Sequence, residues 1–255
     1  MDRAPHITFV LSLTGLFALW VFAAWLTDDA EVLASPFAVA RIIGAEWASG
    51  DLWFHMSATL LRVAAAFIAA MTIGGALGLA MGLNQSADRW LSPWISVFLN
   101  MPALVVIVLC YLWIGLNEVA AVTAVAVNKA AMVAVTLREG VKARDAALGD
   151  LGRVYHLSWS TRFAHVIWPQ LAPYVAVAAR NGLAIIWKIV LVVEFLGRSN
   201  GVGFQIHLYF QLFETATVLA YAVSFVAVMM AIEYLVIAPW ERHVTLWRRA
   251  AAGSA

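Results

Sequence analysis

REGVKARDAALGDLGRVYHLSWSTRFAHVIWPQLAP, residues 138–173, decides how the rest of the chain is read. The runs on either side are long and apolar, whereas this stretch is too polar to enter a bilayer and too long for a simple turn. It gathers Arg138, Lys142, Arg144, Arg153 and Arg162, the densest basic cluster in the sequence, and a basic loop between spans marks the cytoplasmic side. Residues 143–152 are rich in helix formers and 153–166 run on without Pro, so the interior predicts two short helices. Pro169 and Pro173 predict a punctuated start to the next span. A membrane protein that folds such a knob on its cytoplasmic face presents it to a partner.

Composition sets the class. The 255 residues are 64% hydrophobic and 12% charged, with mean hydropathy +0.85, which excludes a soluble globular chain. A net charge of +1 lacks the basic excess of a nucleic-acid binder. The single cysteine, Cys110, lies inside an apolar run, so one chain holds neither a disulfide framework nor a thiolate metal site. Twelve tryptophans fit extensive membrane interfaces. The start has a long apolar core and an acidic exit without a small-residue cleavage site, and reads as a retained span.

A bilayer needs about 20 apolar residues per helix. Working outward, the expected spans are residues 7–26, 54–83, 91–116, 119–137, 174–196 and 216–240. The third is interrupted at Asn100-Met101-Pro102, a break that survives at membrane depth only where protein or a cavity satisfies the freed backbone. Gly74-Gly75, Gly78 and Gly82 recur on one face of the second, which lets a neighbouring helix come close. Residues 36–47, after Ser35-Pro36, predict a short surface helix, 84–90 a polar turn, and 115–118 a tight turn. Ten Arg or Lys fall on the loops assigned inside and two outside, with Arg62, Lys129, Arg180 and Lys188 in or bordering spans. Both termini are therefore expected inside.

The knob resembles the conserved cytoplasmic loop of ABC-importer permeases. Asp150-Leu151-Gly152 stands where that family has Glu-Ala-Ala, His156 occupies its usual Gly, and Trp168-Pro169 is the closing pair. Leu33-Ala-Ser-Pro36, Gly50-Asp-Leu-Trp-Phe-His55, Trp113-Ile-Gly-Leu-Asn-Glu118, Glu139-Gly-Val141 and Arg198-Ser-Asn-Gly-Val-Gly203 are similar to signatures of the nitrate/sulfonate/taurine branch. The resemblance runs from about residue 33 to 249.

It implies an all-α membrane protein of about six transmembrane helices with the type I importer-permease fold. Residues 1–255 would form one permease domain, with the family core at about 55–245 and the coupling loop at 138–169. It further implies two separate ABC ATPase subunits binding ATP and Mg, a periplasmic or lipid-anchored substrate-binding protein, a second permease copy, and the bacterial inner membrane. Coupling to the ATPase would fall to Asp150, Gly152, Arg153, Tyr155, His156, Leu157, Trp159, Arg162, Phe163 and Pro169, aromatic anchors with a basic rim. No Gly-x-x-x-x-Gly-Lys-Ser/Thr loop occurs, so ATP hydrolysis is assigned to another polypeptide, and no cofactor or metal to this one.

Ionisable groups at membrane depth default to function. Arg180, Trp187 and Glu194 recur at a spacing of seven on nearly one stripe of the fifth span. Lys129 with Asn128, and Lys188, together with Asn181 beside Arg180, could line a path favouring an anion in transit. The alternative is that a lysine pairs with Glu194 or Glu233, or snorkels to an interface. His207 and Glu214 are too isolated for a metal site, and Gly201-Val-Gly203 reads as a turn. The cargo is expected to be a small anion such as a sulfonate, taurine or nitrate; the alternatives are a pyrimidine-type vitamin precursor, or a stand-alone secondary transporter. An intramembrane enzyme lacks its signatures, since neither His-Glu-x-x-His nor Gly-x-Ser-x-Gly occurs.

Overall fold

A computed structural model describes residues 4–27, 29, 31–145, 148 and 155–240. Among them every regular element is helical. The helices are α1 (Ala4–Thr27), α2 (Pro36–Ser49), α3 (Asp51–Leu83), α4 (Gln85–Asn100), α5 (Ala103–Ile114), α6 (Glu118–Lys142), α7 (Trp159–Arg162), α8 (Trp168–Gly197), α9 (Val202–Gln211) and α10 (Thr215–Ile232). Among the described residues, four uninterrupted helical runs are long and apolar enough to cross a membrane: Asp51–Leu83, Glu118–Lys142, Ser160–Gly197 and Thr215–Trp240. The pair α4 and α5 makes a fifth candidate, bent by 99° where Pro102 denies the backbone a donor. That is up to five spans by length and composition where the sequence predicts six. The expected first span lies in α1, whose Leu11–Thr27 part is apolar but shorter than a crossing helix.

Local chemistry explains most boundaries. Ser35 caps α2, its Oγ accepting from Ala38 N–H, and Gly50 ends that helix in the left-handed region (φ 89°). Asn117 caps α6 by accepting from Ala120 N–H. Three expectations need correcting. Residues 84–90 are not a turn: Asn84 accepts from the N–H groups of Ser86 and Ala87, so the polar run is the first turn of α4. Residues 197–214, expected as a loop on the outer side between the fifth and sixth spans, hold the helix α9.

The third correction concerns the prolines. Pro169 and Pro173 do not precede the fifth span but lie inside the Ser160–Gly197 run. A π-helical turn at Phe163–Ile167, closed by Trp168 N–H to Phe163 O, widens the helix just before them. Pro169 follows that turn directly, where the i→i−4 ladder is already interrupted. The second helix expected in the knob starts at Trp159 and not at 153; most of the first, expected over 143–152, lies outside the described residues.

The chain divides into two compact units, Met1–Thr59 with Glu194–Met229, and Leu60–Val193 with Met230–Ala255. In the first, Ala34, Val39 and Ala220 are buried with Trp20, Ile42 and Leu219 around them. In the second, Val63, Ala66 and Ala70 of α3 pack with Val106 and Ile107 of α5, Ala121, Ala124 and Val125 of α6, and Ile186 and Val190 of α8. Lipid is as apolar as leucine, so close packing must hold such helices together. The glycine face supplies it. A Cβ at Gly74 would stand 2.5 Å from Ala130 O, one at Gly78 2.5 Å from Ala134 O, and one at Gly82 would strike Val141. The backbone of α6 thus lies directly on α3, as the spacing predicts.

Candidate functional site: the basic segment and the polar groups at depth

Not all of the basic cluster is available to a partner. Arg138 reaches Asp88 (3.3 Å) and Ser92 (3.1 Å) and pairs with Glu139 (2.7 Å), while Lys142 Nζ lies 2.6 Å from the other oxygen of Asp88. The end of α6 is thereby clamped to the start of α4. Arg144 turns back to donate to Val141 O (2.8 Å). Burial, and then the nearby Arg162 guanidinium, hold the Arg144 guanidinium below its ordinary value. Arg162 Nε is itself buried with no hydrogen-bond acceptor. Two like charges that feel each other, one with an idle donor, form a patch that an acidic group would relieve.

Elsewhere in the segment Tyr155 is 69% exposed, His156 is exposed and Leu157 is half-buried. Phe163 and Trp168 are tilted against each other (6.4 Å) and line an apolar cavity with Leu137 and Leu171. Gln170 ties the two ends of the segment by accepting from Asp145 N–H (2.8 Å). Pro169 is half-buried in α8. Trp159 is described only as the first residue of α7, and Asp150, Gly152 and Arg153 lie outside the described residues. His156 has φ 48°, in the left-handed region where glycine is at ease and histidine is tolerated. The residue at the resembled family's glycine position therefore keeps a glycine-like backbone.

The polar groups at depth separate into distinct fates. Glu194 is fully buried in the first unit. Its Oε2 accepts from Thr59 Oγ1 (2.9 Å) and Gly203 N–H (2.8 Å), Thr59 Oγ1 accepts from Val202 N–H (2.8 Å), and Gly201 N–H donates to His55 Nδ1 (3.0 Å). The carboxylate thus closes the N-terminus of α9. Gly201 makes room for it: its φ is 112°, and a Cβ there would collide with the Glu194 carboxylate. His55 stacks on Phe204 (6.1 Å) and meets Tyr221 edge-on (6.2 Å), whose hydroxyl donates to Glu46 (2.5 Å).

In the second unit Arg180 lies 3.5 Å from Glu233, so the acid offered as a lysine partner is taken by an arginine. Asn181 and Lys188 are exposed, and Lys188 Nζ sits 5.4 Å from the centre of the Trp187 ring. Lys129 and Asn128 line a cavity of about 410 Å³ beside the α4–α5 bend. Sequence reasoning missed one pair: Arg62, 5% exposed in α3, is held bidentate by Glu118 (2.7 and 2.8 Å) in the first turn of α6. The signal was available, an arginine inside one apolar run and an acid at the head of another. Asp88 was missed as well, since only three-dimensional proximity shows it shared by Arg138 and Lys142.

Residues 70–238 match the family described as binding-protein-dependent transport system inner membrane component. The aliphatic sulfonates transport permease protein SsuC of Escherichia coli is 32% identical over 197 residues, 74% of this chain and 73% of its own length. SsuC of Bacillus subtilis is 27% identical over 93% of this chain and 86% of its own. Among solved structures, the inward-facing MetNI methionine ABC transporter superposes with TM-score 0.64 at 17% identity, covering 73% of this chain and 92% of that one, a likeness of fold.

Proposed function

The chain belongs to the family of binding-protein-dependent transport system inner membrane components, and within it we propose an importer of small organic anions, of the aliphatic sulfonate kind that its relatives' names carry. It is a transmembrane ABC-importer permease, a transport subunit and not an enzyme, with the type I fold. Our reading adds the machinery. Residues 1–255 act as one permease domain, two copies enclose one path, and both termini lie on the side of the basic segment. ATP and Mg belong to two separate ATPase subunits that grip that segment, and an external binding protein delivers the anion on the opposite side of the inner membrane.

One observation carries the coupling role: the segment holds the Arg144 and Arg162 charges, a buried idle donor on Arg162 and exposed Tyr155 and His156, and Gln170 ties its far end back to Asp145. A pinned, basic, aromatic surface can transmit a push, because its own helices move with it. Leu157, Trp159, Phe163 and Pro169 extend that surface in our reading, and Asp150, Gly152 and Arg153 continue it. Lys129 and Asn128, with Arg180, Asn181 and Lys188, are assigned to the path, while Glu194 fixes α9.

The test is purification of the tagged chain in mild detergent with mass spectrometry of its companions, followed by uptake of labelled butane-1-sulfonate into proteoliposomes. An ATPase should co-purify and uptake should need ATP. Uptake by the chain alone, without ATP, would favour a secondary transporter. ATP-dependent uptake of pyrimidine-type precursors in place of the sulfonate would keep the importer and overturn the cargo.

A further inference from the structure

We propose that the cavity beside the α4–α5 bend is an anion-binding site built into this chain, shaped for a short alkanesulfonate with its head at Lys129 and Asn128 and its tail on the apolar wall. Lys129 sits near the middle of α6, about 16 Å along the helix from Glu118 and about 20 Å from Lys142. Neither end is within reach of a lysine side chain, so snorkelling does not account for it. Among the described residues neither Lys129 nor Asn128 makes a hydrogen bond or ion pair. Of the described carboxylates of the same unit, Asp88, Glu118, Glu139 and Glu233 are each already held by an arginine, Asp88 by Lys142 too, and Asp145 lies beyond the end of α6. An ammonium and an amide at this depth without partners are costly unless something enters to meet them.

The bend supplies a second, independent feature. Met101 and Ala103, on either side of Pro102, line the same cavity, and α5 starts there with no side-chain cap. Backbone N–H groups at the broken end of a helix carry partial positive charge, and broken helices at mid-membrane present such ends to anionic groups. The break at membrane depth thus lies where it is tolerated, against a cavity. The remaining wall is apolar: Phe98, Leu99, Met132, Ile185 and Ile189. At about 410 Å³ the space falls at the small end of ligand pockets. A bare inorganic anion would satisfy Lys129 and waste the wall; a sulfonate with a few methylenes uses both.

The choice of a sulfonate rests on the importer reading, whereas the cavity does not. The full chain, with the ATPase that purifies with it, is placed in lipid nanodiscs and equilibrium binding of ethane-, butane- and hexane-1-sulfonate is measured against empty nanodiscs. Saturable binding should tighten by about fourfold per methylene. It should weaken at least tenfold in Lys129→Met, recover in Lys129→Arg, and stay unchanged in Arg89→Gln, a cation outside the cavity. Equal affinity in Lys129→Met, no dependence on chain length, or no saturable binding would each overturn the site. ATP-dependent uptake measured in parallel separates the two ideas. Uptake with ATP but no Lys129-dependent binding sinks only the cavity, and Lys129-dependent binding without ATP-dependent uptake sinks only the importer reading.

Discussion

Two regions show opposite ways of keeping a charge among apolar helices. In the first unit Glu194 is wholly enclosed and answered, with Thr59 and Gly203 donating to it and Gly201 stripped of a side chain to admit it. In the second unit Lys129 and Asn128 stand unanswered on a cavity wall next to a broken helix. The first arrangement is over-determined and reads as architecture. The second is under-determined and reads as a site. An ionisable residue in a span is costly in both; the partner count tells which kind of residue it is.

Substitutions can break that contrast, and the largest effect is expected at the enclosed carboxylate. Glu194→Ala orphans the Gly203 N–H and leaves the Thr59 hydroxyl only His55 O to donate to, and should lower stability by about 3 kcal/mol, read as a lower Tm of the detergent-purified chain, with Glu194→Gln milder. A loss under half of that would mean the knot is no anchor. Gly78→Leu should follow at about 2 kcal/mol, because the side chain would have to push Ala134 and the α6 backbone away.

His156→Val should cost about 1 kcal/mol while His156→Gly stays at or above the parent Tm, since only the left-handed backbone is at stake. Equal behaviour of the two variants would discount the backbone argument. Smallest of all, Lys129→Met should leave stability within about 0.5 kcal/mol of the parent or raise it, because it deserts no partner and removes an unpaired charge. A large loss there would make Lys129 structural and erase the contrast.

Much of the fold was legible in advance. Apolar runs of helical length located the crossing helices, Ser35-Pro36 marked the start of α2, and Asn100-Met101-Pro102 foretold the break between α4 and α5. Gly74, Gly78 and Gly82 announced a close neighbour without naming it; the structure shows that it is α6. Where the structure departs from these expectations, helix starts and prolines are the reason. The polar run after Leu83 opens a helix because the Asn84 side chain caps it, and α9 starts at Gly201 because Glu194, Thr59 and His55 meet its first N–H groups. Pro169 and Pro173 predict a boundary, but the helix runs through both, with the π turn at Phe163–Ile167 just before Pro169.

By itself the sequence determined the class of molecule, the approximate spans, the site of the break and the place of the basic segment, since all of these follow from hydropathy, periodicity and backbone chemistry along the chain. The tertiary structure alone decided what each charged side chain does. Arg180 took Glu233, Arg62 took Glu118, Arg138 and Lys142 shared Asp88, and Lys129 was left with a cavity. The reason is physical: the cost of a charge at depth is fixed by its residue type, but its compensation comes from groups brought near by packing, and packing is not written in one dimension.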